Sequence, residues 1–257
     1  MAEPNSANPD TIQARPEEPG IRLSFVIPAH DEESLIAGTI DAIHDAVASL
    51  HLPYEVIVAA DGCTDATATI AAEHGATVVS HDRRQIAATR NLGARTATGD
   101  LLVFVDADTR INRQTIEEVV AFVKKGAVAG GAPFRFDGPL PWHFRVVLPT
   151  LLGLFRLVNL TGGAFLYCTR TAFDAVGGWD ERLYAGEEIY FAMRLKRHGR
   201  FRLTRHPVIT SGRKVRTHSL VEVLSLFLRG SLMPWTLLNR KKLGFFYGPR
   251  RKDPMIK

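Results

Sequence analysis

The 257-residue sequence contains little cysteine and no long uninterrupted apolar run. Its two cysteines, Cys63 and Cys168, are too few for a disulfide framework or a zinc motif, so we expect a reducing compartment. Charges, glycines or prolines interrupt every apolar stretch before the roughly 18 residues that a membrane helix needs. The first twenty residues lack the positive start and apolar centre of a secretory signal. We therefore expect neither export nor membrane spanning, and we predict a cytoplasmic location.

Residues 1–20 are rich in proline, asparagine, glutamate and alanine, with almost no large apolar side chains. This composition is typical of a disordered leader, and we predict order from Ile21 onward. Over the whole chain, 46% of residues are hydrophobic and 23% are charged, which are ordinary values for a globular protein. A chain of this length can bury a core without a disulfide or a structural metal.

Short apolar runs alternate with helical patterns in the first half of the chain. We predict four strands, at 21–27, 54–58, 77–79 and 101–105. The helices between them are predicted at 32–50, 64–72 and 85–97. Unbroken apolar strands that alternate with helices form parallel sheets covered on both faces. The predicted fold class is therefore α/β, with a mostly parallel central sheet flanked by helices.

The pattern is less regular beyond Gly126. Small residues at 127–136 indicate one strand, and 163–168 indicate another. Helices are predicted at 141–157 and 188–198.

Asp106 and Asp108 directly follow the most apolar predicted strand. Side chains two residues apart on an extended chain point the same way, so both carboxylates can face one site. They lie at the carboxyl end of a strand, where open α/β sheets bind ligands. Two carboxylates there repel each other unless a cation lies between them, and Mg²⁺ is usually held by carboxylates together with substrate phosphates. An aspartate that caps the following turn fits the same pattern.

Five further motifs surround this pair in a fixed order. They are PAHDEE at 28–33, ADGCTD at 60–65, RNLG at 90–93, GGWDE at 177–181 and GEE at 186–188. In this order the motifs resemble those of the family 2 glycosyltransferases with the GT-A fold, over roughly residues 21–210. The resemblance implies one Rossmann-like GT-A domain. We place it at 21–215, with a nucleotide-binding half at 21–110 and an acceptor half at 111–215.

The resemblance also implies a nucleoside-diphosphate sugar as the donor. The residues that match donor-binding positions of the family are Pro28, Ala29, Glu32, Asp61, Arg90 and Asp106. Asp61 is expected to accept a hydrogen bond from the base, and Asp106 to face the ribose and the water shell of the metal. The guanidinium of Arg90 could help to neutralise phosphate, and it equally fits an ordinary charge on a helix surface.

By the same resemblance, Asp108 is expected to bind a cation, Mg²⁺ or Mn²⁺, on the diphosphate, with Asp106 beside it. Glu188 matches the base that deprotonates the acceptor hydroxyl. Glu187 and Glu188 also suit a helix N-terminus, where the helix dipole favours carboxylates. These roles imply hexosyl transfer by single displacement, with inversion at the anomeric carbon. His218 or His206 is a candidate further metal ligand, and either fits an ordinary surface histidine.

Three positions depart from the family's pattern. Ala60 replaces an aspartate, Cys63 a serine and Glu188 an aspartate, and none of these changes abolishes the expected chemistry. No QxxRW motif is present, so we expect a single addition rather than polymerisation. The first strand–helix turn lacks both the glycines of a dinucleotide site and the basic glycine-rich loop of sugar-nucleotide pyrophosphorylases. The alternative to an active transferase is a catalytically weak nucleotide-sugar-binding or scaffold protein on the same fold.

Charge is distributed unevenly along the chain. Residues 194–257 hold 17 Lys/Arg and 2 Asp/Glu, against 15 and 25 in the remainder. Aromatic, aliphatic and basic residues mix in the predicted tail, 216–257, and in 141–157, which is typical of interfacial helices. We therefore expect a lipid-linked acceptor and peripheral contact with the inner face of an anionic membrane, while a solvated basic face or a homodimer contact fits equally. Residues 213–218 are expected to close over the diphosphate, and no nucleic-acid-binding module is recognisable.

Overall fold

The structure is a computed structural model that describes residues 20–157, 159, 162–219, 221–222, 225 and 234–247. The leader predicted at 1–20 lies outside these residues, except for Gly20. The predicted tail, 216–257, is described only in part, and the prediction about its remainder lies outside the described residues.

A seven-stranded sheet forms the centre of the fold. Its strands are β1 (Leu23–Ala29), β2 (Tyr54–Asp61), β3 (Thr77–His81), β4 (Leu101–Val105), β6 (Ala127–Gly131), β8 (Phe165–Thr169) and β9 (Arg200–Leu203). They lie in the order β3-β2-β1-β4-β8-β6-β9. The first four pair in parallel, β8 runs antiparallel between β4 and β6, and β9 runs parallel to β6. The predicted α/β class with a mostly parallel sheet is confirmed.

A second sheet has three short strands, β5 (Thr109–Arg110), β7 (Phe134–Phe136) and β10 (Val208–Thr210), with β10 in the middle. The single strand predicted at 127–136 is therefore wrong, since its two ends belong to different sheets. Pro133 stands between β6 and β7. Because proline has no backbone N–H to donate to a ladder, pairing with the large sheet ends there.

The α-helices of the described residues are α1 (Ile36–Val47), α2 (Thr67–Glu73), α3 (Ile86–Thr96), α4 (Arg113–Lys124), α5 (Trp142–Leu157), α6 (Arg170–Val176), α7 (Glu187–Leu195), α8 (Arg213–Thr217) and α9 (Gly244–Tyr247). Residues of α1, α2 and α4 belong to the apolar cluster on one face of the large sheet, and residues of α3, α6 and α7 belong to the cluster on the other face. The first helix begins at Ile36 rather than at residue 32, so Glu32 stays in the loop after β1. Within the described part of the chain, none of the helices combines the length and apolar character needed to span a bilayer.

Strand β4 is buried on both faces, and its side chains alternate between two apolar clusters. Leu101, Val103 and Val105 belong to the cluster that includes residues of α1 and α4. Leu102 and Phe104 belong to the cluster that includes residues of α3, α6 and α7. Because successive side chains of a strand point to opposite faces, β4 packs against the helices on both sides of the sheet. This packing fixes the position at which the chain leaves the core after Val105.

Candidate active site

The carboxyl ends of β1, β2 and β4 open into a cavity of about 720 Å³. Strand order reverses between β1 and β4, which is where open α/β sheets form a ligand crevice. The predicted site residues that line the cavity are Pro28, Ala29, Glu32, Asp61, Arg90, Asp106, Asp108, Glu188 and His218. His206 is not among its lining residues; its ring lies 3.3 Å from the Glu118 carboxylate.

A tight turn after β4 presents the Asp106 and Asp108 carboxylates. The Thr109 N–H donates to the Asp106 carbonyl at 3.0 Å, and the Thr210 hydroxyl donates to the Asp108 carboxylate at 3.2 Å. Burial, together with the carboxylates of Glu32 and Asp106, raises the pKa of Asp108 to about 6. A divalent cation would remove this repulsion, and carboxylate oxygens are the ligands that Mg²⁺ and Mn²⁺ prefer. The residues present therefore fit such a cation.

Arg90 lies in the core beneath these carboxylates, with 1% of its surface exposed. One terminal nitrogen donates to Asp106 at 2.8 Å, and the other donates to Glu187 at 2.8 Å. The guanidinium carbon stands 4.5 Å from the centre of the Trp179 ring, a cation–π distance. Arg90 is thus a buried link between the turn after β4, which carries Asp106, and α7, which carries Glu187, and it is not a surface charge.

Helix α7 brings Glu187 and Glu188 to the cavity. It begins after Gly186, whose φ of 72° is a left-handed conformation that glycine adopts without strain. Glu187 is 5% exposed and pairs with Arg90, whereas Glu188 is half-buried on the cavity wall. Burial and the neighbouring Glu187 carboxylate raise the pKa of Glu188 to about 8. Glu188 is therefore a stronger base than an ordinary glutamate.

Asp61 organises the loop between β3 and α3. Its carboxylate accepts hydrogen bonds from the backbone N–H groups of Arg83, Arg84 and Gln85 and from the Thr89 hydroxyl, all at 2.7–2.8 Å. Although burial opposes ionisation, these bonds lower the pKa of Asp61. Four donors match the roughly four acceptor positions of a carboxylate. The expected contact between Asp61 and a base stays a prediction, and it requires one of these donors to move.

Arg213 connects the late part of the chain to the loop after β1. Its guanidinium donates to the two Glu32 oxygens at 2.9 and 3.2 Å, and Glu32 is 8% exposed. Lys214 and Thr217 from the same helix also line the cavity. The segment that we expected to close over a diphosphate thus lies against the cavity, with its cations close to Asp108.

Asn91 joins two of the sequence motifs to each other. Its side-chain oxygen accepts from the Trp179 N–H, and its side-chain nitrogen donates to the Trp179 carbonyl, both at 2.9 Å. A Cβ on Gly178 would stand 2.7 Å from the Asn91 oxygen, so a side chain there would disrupt this contact. The Trp179 ring stacks on Phe191 of α7 with centroids 4.1 Å apart. The RNLG and GGWDE motifs therefore support α7, a role that the sequence did not indicate.

Tyr184 and Tyr247 also line the cavity and were not predicted. The Tyr184 N–H donates to the Leu237 carbonyl at 2.8 Å, and the two tyrosine rings meet edge to face at 5.8 Å. A described part of the basic tail thus forms cavity wall. Neither tyrosine stands in a motif, so no signal in the sequence could have indicated this contact.

Comparison with known proteins identifies the family of the chain. Residues 24–174 match the model of glycosyl transferase family 2. An uncharacterized glycosyltransferase of Mycobacterium tuberculosis is 32% identical over 139 residues, which cover 54% of this chain and 60% of that protein. A dolichyl-phosphate beta-glucosyltransferase of Drosophila melanogaster is 30% identical over 120 residues, which cover 41% of this chain and 36% of that protein.

Solved structures show the same fold. A mannosyltransferase from Pyrobaculum calidifontis, in complex with GDP-Man and Mn²⁺, superposes with a TM-score of 0.61 at 19% identity, over 88% of this chain and 70% of that one. The sheet is that of the GT-A glycosyltransferases. Because the family model covers more than half of the sequence, the chain belongs to glycosyl transferase family 2.

Proposed function

We propose that the protein transfers a hexosyl group from a nucleoside-diphosphate sugar to an acceptor hydroxyl, with inversion at the anomeric carbon. One observation carries the proposal: a single cavity is lined by the Asp106 and Asp108 carboxylates, by Glu188, whose pKa is raised, and by the cations of Arg213 and Lys214. The arrangement supplies a place for a cation, a base and charges for a diphosphate.

Glu188 is the proposed base. Its carboxylate takes the proton of the acceptor hydroxyl while that oxygen forms a bond to the anomeric carbon. The bond from this carbon to the diphosphate oxygen breaks, and its electron pair leaves with the nucleoside diphosphate. Arg90 holds Glu187, the neighbour of this base, so that α7 presents Glu188 at a fixed distance from Asp106.

Asp108, with Asp106, is the proposed holder of Mg²⁺ or Mn²⁺. When bound, the cation would stabilise the negative charge that develops on the diphosphate oxygens. The Mn²⁺ and GDP-Man complex of the Pyrobaculum mannosyltransferase supports a divalent cation and a nucleotide-sugar donor. His218 lines the same cavity and remains a proposed further ligand. Pro28, Ala29, Glu32 and Asp61 are proposed to line the nucleoside end.

Arg213 and Lys214 are proposed to meet the diphosphate. Glu32 now pairs with Arg213, and a diphosphate offers the same guanidinium a more highly charged partner. We expect Arg213 to exchange Glu32 for phosphate oxygens when the donor binds. Arg213→Ala should then raise KM for the donor more than it lowers kcat.

We further propose a lipid-linked acceptor and contact with an anionic membrane through α5. Trp142 is 76% exposed and Val146 is 66% exposed one turn later, and the helix carries basic residues and no acidic one. An exposed apolar stripe beside basic side chains suits an anionic interface. The dolichyl-phosphate transferase among the relatives supports an acceptor of this class. Sedimentation with anionic vesicles at low salt tests the contact, and binding that Trp142→Ser leaves unchanged contradicts it.

A thermal-shift panel of UDP-, GDP- and dTDP-sugars, with and without Mn²⁺, tests the main proposal. We expect one nucleotide to stabilise the protein in a Mn²⁺-dependent manner, and Asp108→Asn to lose this effect. Glu188→Gln should keep donor binding and lose transfer. If no nucleotide sugar binds, the proposal fails; if donors bind but the wild type transfers the sugar to none of a panel of lipid-linked acceptors that present a hydroxyl, the nucleotide-sugar-binding alternative is favoured.

A further inference from the structure

A second group of metal-binding side chains lies apart from the Asp106–Asp108 pair. The imidazole of His30, the carboxylate of Asp31 and the thiol of Cys63 bring one ligand atom each to within 4.8 Å of one another. His30 and Asp31 lie in the loop after β1, and Cys63 lies in the loop after β2. All three side chains are half-buried, and the first two line the cavity.

The hydrogen bond of the His30 ring fixes its tautomer. Its Nδ1 lies 2.7 Å from the Asp61 carbonyl oxygen, which can only accept, so Nδ1 carries a hydrogen and donates. A metal-binding histidine almost always donates its second nitrogen in this way, and a backbone carbonyl is one of the usual acceptors. The Nε2 atom is therefore the ligand atom, and its lone pair points to the same side as Asp31.

The Nε2 atom and the Asp31 Oδ2 atom are 3.2 Å apart. Two acceptors at this distance repel each other unless a second proton on the ring or a cation joins them. Zn²⁺ holds nitrogen and oxygen ligands at about 2.1 Å in a tetrahedron, so two such ligands stand about 3.4 Å apart. The observed separation already matches that edge within a few tenths of an ångström.

Neighbouring groups hold the other two ligands in place. The second Asp31 oxygen accepts from the Thr64 N–H at 2.7 Å, which leaves Oδ2 on the His30 side. The Cys63 thiol donates a hydrogen bond to the Ala29 carbonyl oxygen at 3.6 Å, and metal binding would replace this bond. A proton on the His30 ring would join only the His30 and Asp31 atoms, whereas a metal ion would join the ligand atoms of all three residues.

We propose that His30, Asp31 and Cys63 form a binding site for a Zn²⁺-class cation. Binding forms a bond from the sulfur to the metal and releases the thiol proton to solvent. Three protein ligands leave one coordination position, which faces the cavity because His30 and Asp31 line it. Nitrogen and sulfur ligands distinguish this site from the all-oxygen Asp106–Asp108 pair, which suits Mg²⁺ or Mn²⁺.

Cobalt spectroscopy on the full chain tests the site, because Cys63 and Cys168 are the only cysteines. After chelation of all metals, one equivalent of Co²⁺ should give a thiolate-to-metal charge-transfer band that Zn²⁺ removes by displacement. Cys63→Ser and His30→Ala should lose the band. The matched controls Cys168→Ala and Asp108→Asn should keep it, since Cys168 is buried elsewhere and Asp108 belongs to the other pair.

A second measurement applies to the unmutated protein. One equivalent of Zn²⁺ should slow the reaction of Cys63 with a disulfide reagent at least tenfold, as followed by mass spectrometry of the labelled peptide. No charge-transfer band, a band that survives in Cys63→Ser, or unchanged Cys63 reactivity overturns the proposal. A His30 ring that NMR shows to stay doubly protonated in the presence of Zn²⁺ also overturns it. None of these results depends on the proposed transferase activity.

Discussion

Replacing Glu188 with glutamine should stabilise the metal-free protein at alkaline pH. Burial and the nearby Glu187 raise the pKa of Glu188 from 4.5 to about 8 in the folded state. A carboxyl with a raised pKa binds its proton more tightly in the folded than in the unfolded chain. The free energy of unfolding therefore falls as the pH rises from about 4.5 to about 8 and levels off above that. Since one pKa unit corresponds to about 1.4 kcal/mol, full ionisation of Glu188 lowers the free energy of unfolding by roughly 3–5 kcal/mol.

Urea unfolding between pH 5 and pH 9, with a chelator present, measures this effect. Glu188→Gln removes the titrating group and keeps its shape, so the stability gap between variant and wild type should widen steadily up to about pH 8. Glu117→Gln is the matched control, because the Glu117 side chain is 42% exposed and pairs with Arg113 on the helix surface. Parallel curves for Glu188→Gln and the wild type across this range would refute the reasoning, since they would mean that Glu188 titrates alike in both states.

Three further predictions concern the same framework. Arg90→Met removes the partner of the buried Glu187 carboxylate and of the 30%-exposed Asp106 carboxylate, and it should cost about 3–5 kcal/mol in urea unfolding, with Tm lower by roughly 6–20 °C; a loss below 1 kcal/mol contradicts the buried ion pair between Arg90 and Glu187. Asp108→Asn should raise the free energy of unfolding of the metal-free protein by roughly 2–3 kcal/mol above pH 6, because folding raises the pKa of Asp108 from 3.8 to about 6. An unchanged free energy of unfolding contradicts the destabilisation of the Asp108 carboxylate by burial and by its acidic neighbours. Gly130→Ala places a Cβ against the Arg202 carbonyl and should destabilise the sheet. A Cβ on Gly153 meets no atom of the described residues within 4 Å, so Gly153→Ala should stabilise α5 by about 0.5–1 kcal/mol in thermal unfolding; equal effects of the two substitutions contradict the packing.

The position of the acidic site was predictable because it depends on local pattern and parallel topology alone. The apolar run at 101–105 coincides with β4, and the carboxylates that follow it are forced to the carboxyl edge of the sheet. Glu32 and Asp61 reach the same edge for the same reason, since their strands run parallel to β4. The roles of these residues in binding remain predictions.

Other features depend on contacts between distant parts of the chain, which no local pattern encodes. The partners of Arg90 lie 16 and 97 residues away, and those of Asn91 lie in the GGWDE motif. Helix α4 is a different case, because its signals were present: the Asn112 side chain caps its N-terminus, and Ile116 and Val119 recur on its buried face. We assigned no element there, and a search for caps would have found the helix.

The raised pKa values of Asp108 and Glu188 have a common origin in the way the fold concentrates acidic groups. The cavity is lined by seven carboxylates, those of Asp31, Glu32, Asp61, Asp106, Asp108, Glu187 and Glu188, and the four cations of Arg84, Arg90, Arg213 and Lys214 compensate them only in part. A cluster of this kind costs stability in the empty protein, because its charges repel in a poorly solvated space. A divalent cation bound with a diphosphate would add positive charge beside the carboxylates and negative charge beside Arg213 and Lys214. The cation and the diphosphate would therefore each reduce the repulsion between like charges in the cavity. On the proposed function, the same charge imbalance that lowers the stability of the fold would favour joint binding of the metal and the donor, and replacing Asp106 or Asp108 should weaken ligand binding while it stabilises the empty protein.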